Sequence, residues 1–391
     1  MTRIRVFLAL VTAAIVGVLG YFLVLYARGY RFDKKTFHFA PSGLLVAKSD
    51  PTGAQVFVNA ELTTATDSTI SLSPGTYDVA IKKEGYLPWE KRLLIEKEVV
   101  TEACASLFRA APSLSAVTFS SVVNPTVSAD GTRIAYGVPY LPSDPEKGGI
   151  WIMETVNLPL GFARDPRRIT DGDISSSTWE FSPNGREILL TTRTGVFLLD
   201  AGSFTPQARR VNVAARKEII LSEWQDERQK RLASQIRNVP TEVADVLERK
   251  TSAVIFSPDE TKILYTASSS ATLKENLIKP LPGSSTQRQE RDIKIGRTYV
   301  YDIKEDRNFL IDEGSESDRR LSWFPTSRHL LLAEDERIVI MDYDGTNRQQ
   351  VYSGSYIAPH AYPFGSTSRL LILTNLGATS TEANLYSLTI K

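Results

Sequence analysis

Five copies of one short phrase follow each other in the second half of the chain, and they constrain the fold more than any other feature. Each copy has an apolar residue, a turn rich in Ser, Pro, Asp or Gly, one or two basic residues, and an apolar strand. The copies begin at Val127, Phe181, Phe256, Trp323 and Pro363. A unit that recurs in this way cannot bury its apolar face alone, so the pattern predicts a repeat architecture.

The residues that follow each phrase indicate what the repeated unit is. A third strand usually ends in an acid, at Glu154, Asp200, Asp302 and Asp342, and a fourth strand closes most units. Repeated four-stranded antiparallel units are typical of the blades of a β-propeller. The fold class is therefore mainly β, with a propeller over residues 113–391. The propeller has five blades, or six if one copy escapes the pattern.

The fifth unit lacks its own fourth strand, because the chain ends at Lys391. An extra strand, Leu114 to Phe119, precedes the first blade. We expect it to pair with the last blade and close the ring, since closure removes two exposed sheet edges.

Residues 215–250 interrupt the blade pattern with helical periodicity. Leu221, Trp224, Leu232 and Ile236 fall near one helical face, and Pro240 separates them from a second predicted helix. Two interpretations stay open. One is a helical hairpin packed on the propeller as a cap, and the other is a partner-docking element that could be removed without unfolding the propeller.

The blade topology also predicts a binding face. In a four-stranded meander, the loops from second to third strands and from fourth to the next first strands emerge at one end. Three long insertions occupy these positions: Gly137 to Gly149, residues 215–250, and Ser268 to Gly296. Long loops in compact domains are usually functional or disordered. The predicted partner surface is centred on the third blade, with Trp224, Arg228, Arg231 and Tyr140 as candidate contacts.

The N-terminus reads as a membrane segment. Val6 to Ala27 runs without a charge and is long enough as a helix to cross a bilayer. We expect an uncleaved, single-pass anchor over residues 1–27 rather than a cleaved signal peptide, because the following residues make a poor cleavage site. A basic stalk follows over residues 28–42, and its charges lean weakly toward a cytoplasmic C-terminal side.

Residues 43–112 are identified as similar to the PEGA domain family. The matching phrases are Pro51-Thr-Gly-Ala54, Gln55-Val-Phe-Val58, Leu72-Ser-Pro-Gly-Thr-Tyr77 and Gly85-Tyr86, while Thr52 and Ala60 replace the family's Glu and Gly. The propeller phrases resemble the TolB-type, WD-like repeat. The PEGA resemblance implies a small β-sandwich found mainly on prokaryotic surface proteins, without chemistry of its own.

Signatures of other functions are scarce. The net charge of +1 argues against nucleic acid as the main partner, and the single cysteine, Cys104, excludes an intrachain disulfide. His38, His329 and His360 stand outside any catalytic motif, so we interpret them as structural. Asp342-Tyr-Asp-Gly345 and Asp171-Gly-Asp173 lack the spacing of a calcium loop, and Asp344-Gly345 predicts a hairpin turn. No catalytic, cofactor-binding or metal residues are predicted.

The leading hypothesis is a membrane-anchored, extracytoplasmic binding or scaffolding protein. Its membrane contact would be the N-terminal helix, and its propeller would engage protein or cell-surface glycan but no nucleic acid. We expect it not to be an enzyme. Two alternatives are a propeller-type hydrolase, or a subunit of one, and a cytoplasm-facing membrane assembly platform.

Overall fold

The computed structural model describes residues 2–27, 30–33, 38–156, 165–314, 320–378 and 382–391. They form two units, which are described separately below. The first contains residues 1–107 and 279–288, and the second contains residues 108–278 and 289–391. The segment Lys279–Arg288, which lies in the propeller range by sequence, thus groups with the first unit. The stalk residues Arg28, Lys34 and Lys35 lie outside the described residues.

The first unit begins with one apolar helix, α1 (Thr2–Ala27). Its stretch Phe7–Ala27 has 21 residues, none of them buried, and is long and apolar enough to cross a membrane. Such a helix serves as a membrane anchor or as a signal sequence. A short hairpin follows, made of β1 (Tyr30–Asp33) and β2 (His38–Pro41).

Two small sheets complete the first unit. Their strands are β3 (Gly43–Asp50), β4 (Gln55–Val58), β5 (Glu61–Ala65), β6 (Ser68–Leu72), β7 (Gly75–Lys82), β8 (Trp89–Ile95) and β9 (Val100–Ser106). The orders are β6-β3-β9, with β3 and β9 parallel, and β5-β4-β7-β8. Buried residues of both sheets, such as Leu45, Ala103, Val56 and Ile81, share one core, as in a sandwich.

The hairpin between β4 and β5 keeps a left-handed turn despite the missing glycine. Asn59 has φ of 49° and Ala60 has φ of 67°. The two-residue turn of an Asn-Gly hairpin is therefore retained, with an alanine in a conformation that glycine adopts more easily. Elsewhere in this unit, Lys279–Arg288 lies beside β8, where Gln287 Nε2 donates to the carbonyl oxygen of Arg92 at 2.7 Å.

The second unit contains most of the strands. They are β10 (Ser113–Ala116), β11 (Val123–Val127), β12 (Arg133–Val138), β13 (Gly149–Glu154), β14 (Arg167–Asp171), β15 (Thr178–Phe181), β16 (Glu187–Thr192), β17 (Gly195–Asp200), β18 (Thr251–Phe256), β19 (Lys262–Ala267), β20 (Ala271–Thr272), β21 (Asp292–Ile293), β22 (Thr298–Asp302), β23 (Arg307–Asp312), β24 (Arg320–Trp323), β25 (His329–Glu334), β26 (Arg337–Asp342), β27 (Gln349–Ser353), β28 (Ala361–Phe364), β29 (Ser366–Thr374) and β30 (Asn384–Thr389). Two helices, α2 (Lys217–Ile236) and α3 (Thr241–Arg249), separate β17 from β18.

These strands form five blades among the described residues, as predicted. Blade 1 is β11-β12-β13-β14, blade 2 is β15-β16-β17, blade 3 is β18-β19-β22-β23, blade 4 is β24-β25-β26-β27, and blade 5 is β28-β29-β30-β10. In blade 2 the fourth position is held by a single bridge from Phe197 to Asn212.

Ring closure occurs through the strand that the sequence assigned to it. β10 pairs antiparallel with β30, with Ser113 opposite Thr389 and Ala116 opposite Tyr386. Buried side chains of blade 1, including Ile134 and Tyr136, then share a cluster with Leu371 and Leu385 of blade 5.

The repeated phrase is a hydrogen-bonded turn between the first two strands of a blade. In three blades a buried serine accepts a hydrogen bond from the backbone N–H five residues later and donates to the acid or amide two residues later. The serine–amide distances are 3.0 Å each, for Ser128 with Arg133, Ser182 with Glu187, and Ser257 with Lys262. The serine donates to Asp130, Asn184 and Asp259 in the same order. The phrase therefore recurs in blades 1, 2 and 3 because they share this turn.

In blades 1, 3 and 4 the acid that ends the third strand is the cross-strand partner of the basic residue that opens the second. The pairs are Arg133 with Glu154, Lys262 with Asp302, and His329 with Asp342, each with a closest N–O distance of 3.6 Å. His329 is buried in this position, which agrees with a structural role.

The turn of blade 3 predicts a measurable pH dependence of stability. Burial by itself would raise the pKa of Asp259, but hydrogen bonds from the Ser257 hydroxyl and from the Thr261 N–H and hydroxyl outweigh it and lower the pKa from 3.8 to about 2. Because the folded pKa lies below the unfolded one, the stabilisation is complete above about pH 4 and is lost as the pH falls through about 2.

Asp259→Asn is therefore expected to reduce the acid-induced loss of unfolding free energy by about 1 kcal/mol, a value discounted for solvent screening. Thermal unfolding of the full chain in detergent between pH 2 and pH 6 would measure it. Asn184→Asp is the matched control, since it should introduce the same pH dependence into the equivalent turn of blade 2. Identical pH profiles for wild type and both variants would contradict this explanation.

Candidate binding face

The helical hairpin packs against two blades at once. The first half of α2 places Ile220 and Trp224 on Leu189 and Val196 of blade 2. The end of α2 and the whole of α3 pack on blade 3, where Ile236 and Val246 meet Ile263. The predicted second helix is confirmed, with Val243, Val246 and Leu247 buried and Pro240 immediately before it.

The alternation of side chains shows where this hairpin stands in the ring. Leu190 of β16 faces blade 1, whereas its neighbour Leu189 faces α2. Leu264 of β19 faces blade 4, whereas Ile263 faces the helices. The hairpin thus covers the face of blade 2 turned away from blade 1 and the face of blade 3 turned away from blade 4. We call α2 and α3 in this position the helical wedge.

The four candidate contact residues lie in different settings. Trp224 is only 6% exposed, so its indole serves the packing of α2 and is not available as a surface contact. Arg228 is exposed, and Arg231 lies near the carbonyl oxygen of Pro183 at 3.4 Å and Glu227 at 4.0 Å. Tyr140 is half-exposed in the β12–β13 loop of blade 1. Trp224, Arg228 and Arg231 therefore lie on α2, whereas Tyr140 lies in a loop of blade 1.

The end of the propeller that carries the long connections contains a cleft. We call this end the loop face and define it by residues 117–122, 139–148, 214–220, 248–250, 268–272 and 293–297, where the long connections leave and rejoin the strands. The rest of α2 and of the blade 3 insertion extends toward the opposite end, because Arg231 lies near Pro183 and the N–H of Leu277 donates to Asp306, and Pro183 and Asp306 lie in turns at that end. The first cleft lies at the junction of blades 5 and 1, has a volume of about 410 Å³, and is lined by Phe119, Val138, Leu141, Asp144, Lys147 and Glu382 among others. We call it the blade 5–1 cleft.

Two further clefts lie beside blade 3. One, also about 410 Å³, lies between the helical wedge and the start of β18, with Leu232, Leu247 and Ala253 in its walls. The other, about 220 Å³, lies between blades 3 and 4 beside Thr298, Asp312 and Leu321. Concave surfaces therefore lie beside the blades that carry the long connections.

Large apolar side chains are exposed around the blade 5–1 cleft. Phe119, in the connection from blade 5 to blade 1, is 82% exposed, and Tyr140 and Leu141 are each 45% exposed. Contiguous exposed apolar surface rimmed by polar groups marks interaction sites.

The β12–β13 loop that carries Tyr140 and Leu141 is held by its own hydrogen bonds. The N–H of Asp144 donates to the carbonyl oxygen of Leu141 at 3.0 Å, and Lys147 forms an ion pair with Asp144 at 2.7 Å. Trp151 Nε1 donates to the carbonyl oxygen of Lys147 at 2.9 Å. These hydrogen bonds and this ion pair therefore fix the conformation of the loop that forms one wall of the cleft.

The long insertion of blade 3 is fixed by a buried polar network. Asp306 accepts hydrogen bonds at Oδ1 from Arg291 (3.1 Å) and from the Tyr301 hydroxyl (2.9 Å). Its Oδ2 accepts the N–H of Leu277 at 2.7 Å. The small ribbon β20–β21 and the burial of Ile293 complete the anchorage. Nothing in the sequence distinguishes Asp306 from an ordinary turn acid, so sequence reasoning missed this network.

The side chain of His360, interpreted from the sequence as structural, forms a hydrogen bond within the propeller. His360 Nδ1 lies 2.8 Å from the Tyr362 hydroxyl, which donates to the carbonyl oxygen of Pro125 at 2.9 Å. Burial and the nearby Arg320 lower the pKa of His360, so its ring is neutral at pH 7. The side chain of His38 lies outside the described side chains.

No group of three or more His, Cys, Asp or Glu side chains that could hold a metal ion is found in the described part of the chain. Asp344 instead stabilises the turn between β26 and β27, where its carboxylate accepts hydrogen bonds from the Thr346 N–H at 3.2 Å and hydroxyl at 2.6 Å. This confirms the predicted hairpin turn at Asp344-Gly345.

Comparison with known proteins agrees with the first unit and adds context for the second. Residues 42–109 match the PEGA domain family. Similar solved structures include the β-propeller domain of Cps50 (Swd1) from Myceliophteria thermophila, with 12% identity, a TM-score of 0.19, and coverage of 70% of this chain and 73% of that chain. An oligogalacturonate lyase in complex with manganese has 12% identity, a TM-score of 0.24, and coverage of 71% and 68%.

An acylaminoacyl peptidase from Pyrococcus horikoshii has 11% identity, a TM-score of 0.22, and coverage of 70% of this chain and 39% of that chain. No curated protein sequence matches this chain. At such TM-scores the propeller assignment rests on the five sheets and their closure. The chain therefore carries a PEGA domain at residues 42–109, followed by a five-bladed β-propeller with a helical insertion.

Proposed function

We propose that this protein is a single-pass, membrane-anchored binding or scaffolding protein. Its PEGA domain and propeller lie outside the cytoplasm, and the loop face of the propeller binds a protein or glycan partner at the cell surface. Helix α1 is the anchor.

The observation that carries this proposal is the convergence of a cleft and exposed apolar side chains on the loop face. A folded chain rarely leaves an aromatic ring as exposed as that of Phe119, at 82%, beside a cleft of about 410 Å³ unless the surface is used. Binding residues are disproportionately found on loops that a rigid scaffold positions, and the five blades supply that scaffold.

The buried His329 and Asp306 and the half-buried His360 are engaged in structural contacts, which favours binding over catalysis. The position outside the cytoplasm is supported by the PEGA domain, since the family occurs mainly on prokaryotic surface proteins. The charges of the basic stalk weakly favour the opposite orientation. We give them less weight, because long domains are translocated largely regardless of flanking charge.

The experiment combines location and contact. A photocrosslinking amino acid at position 119 of the full chain is introduced in living cells, and spheroplasts are then treated with external protease. We expect crosslinked adducts from position 119 and digestion of the propeller without lysis.

The matched control places the same crosslinker at Phe204, which is 47% exposed beyond the end of β17 and outside the loop face. Protection of the propeller until lysis would refute the extracytoplasmic location. Adducts at position 204 but not at position 119 would refute the loop face as the binding surface.

A further inference from the structure

The blade 5–1 cleft has enough definition to indicate the chemistry of its partner, and this inference rests on the proposed function. Three stretches far apart in sequence form it: the connection bearing Phe119, the loop bearing Leu141 and Asp144, and the stretch that begins with Glu382 and contains Asn384. Thr118 Oγ1 donates to Asn384 Oδ1 at 3.1 Å and accepts the N–H of Leu385 at 2.9 Å, so the first and third stretches are tied together.

The exposure of Phe119 indicates the size of the partner. A small ligand inside a cleft is normally 70–90% or more enclosed by its site. Here one wall, Phe119, is itself 82% exposed, so a molecule confined to the cleft would leave most of that ring in water. Covering the ring requires a partner that extends beyond the cleft, over Phe119 and toward Tyr140. A polymer segment meets this requirement.

The walls indicate the type of polymer. Val138, Pro139 and Leu141 give the cleft an aliphatic side. This side suits a Leu or Phe side chain in contact with the Phe119 ring. Hydrogen bonds to a peptide backbone are offered elsewhere in the lining by Ser120, Ser121 and Asn384.

The charges of the cleft are unbalanced. Lys147 is paired with Asp144 at 2.7 Å, and the lining then retains one further carboxylate, that of Glu382. Glu382 is exposed and its carboxylate forms no hydrogen bond or ion pair with a side chain in the described ranges. The three residues before it, Thr379, Ser380 and Thr381, carry no charge. The site is therefore complementary to a cation.

We infer that the blade 5–1 cleft binds a basic polypeptide segment of a partner protein. An apolar side chain of that segment enters the cleft between Phe119 and Leu141, and a neighbouring Lys or Arg pairs with Glu382. The aromatic ring supplies contact area at low conformational-entropy cost, and the carboxylate supplies charge selectivity.

Two defined probes test this inference on the full chain in lipid nanodiscs. One is the fluorescent hexapeptide Gly-Lys-Leu-Phe-Lys-Gly, and its twin has Glu at both Lys positions. Fluorescence anisotropy at low salt is expected to show at least 10-fold tighter binding of the Lys peptide. Glu382→Lys should reverse that preference, and Phe119→Ser should weaken the Lys peptide at least 10-fold.

Glu218→Lys is the matched control, because Glu218 is also an exposed carboxylate but lies in the first turn of α2. It should change neither affinity. Equal binding of the two peptides to wild type, or a preference that Glu382→Lys leaves in place, would overturn the inference.

Mapping of the adduct formed from position 119 in cells separates this inference from the proposed function. A crosslinked peptide rich in Lys or Arg beside apolar residues supports both. A glycan adduct, or an acidic crosslinked peptide, keeps the proposed function and overturns the inference. Absence of any adduct from position 119 in cells that yield adducts from position 204 overturns both.

Discussion

Deletion of residues 216–249, with a short linker in their place, is expected to unfold the propeller at growth temperature. The helical wedge covers the faces of blades 2 and 3 that contain Leu189, Val196, Ile263 and Tyr265. Without it, those apolar faces would be exposed to water, at a cost of about 25 cal/mol for each Å² of apolar surface. The deletion therefore separates the cap interpretation from that of a removable docking element.

A point variant gives the same test on a smaller scale. Trp224→Ala should lower the free energy of unfolding by about 3–5 kcal/mol, because it leaves a large cavity between α2 and blade 2. Arg228→Ala, one turn further along the same helix and exposed, should change it by no more than about 0.5 kcal/mol. Thermal unfolding in detergent measures both, and an unchanged melting temperature for the deletion would show that the wedge is dispensable.

The second large effect concerns the buried pair of Arg291 and Asp306, whose side chains are 11% and 4% exposed. Asp306→Ala should cost about 3–5 kcal/mol, because it leaves the Arg291 guanidinium buried without its counter-charge and the Leu277 N–H without its acceptor. Limited proteolysis should then cut first within residues 271–278 or 289–294, which this network anchors to blade 3.

An exposed pair of the same types is the control. Arg92 and Asp78 lie 2.7 Å apart with side chains 71% and 62% exposed. Asp78→Ala should therefore cost less than about 1 kcal/mol, since exposed ion pairs contribute little. Equal losses from Asp306→Ala and Asp78→Ala would show that the buried network does not fix the insertion.

The repeat architecture could be predicted from the sequence because its causes are local. In blades 1, 2 and 3 the serine of the turn accepts a hydrogen bond from the backbone N–H five residues later and donates to the Asp or Asn two residues later, so these blades carry the same short phrase. Counting the strands likewise predicts the ring closure, because one extra strand precedes blade 1 and blade 5 lacks its fourth strand. The same holds for the PEGA domain, whose turns and alternating strands lie within about seventy residues.

Trp224 is an example of a residue whose surroundings the sequence pattern could not decide. A helical apolar stripe shows that one face must be covered, but the same stripe suits a wedge between two blades and a partner-docking surface. Only the packing of α2 on Leu189 and Val196 decides for the wedge.

The repeat architecture, the helical insertion and the apolar N-terminal segment follow from the sequence because each depends on residues near one another in the chain, and the closing strand follows from the number of strands. The structure decided between five and six blades. The tertiary structure alone decided which groups meet across long separations. Examples are Arg291 of the blade 3 insertion with Asp306 of the turn between β22 and β23, and Phe119, Leu141 and Glu382 around one cleft. Such contacts join a loop to a distant turn or one blade to the next, and the local periodicity of one strand carries no information about the surface it will face.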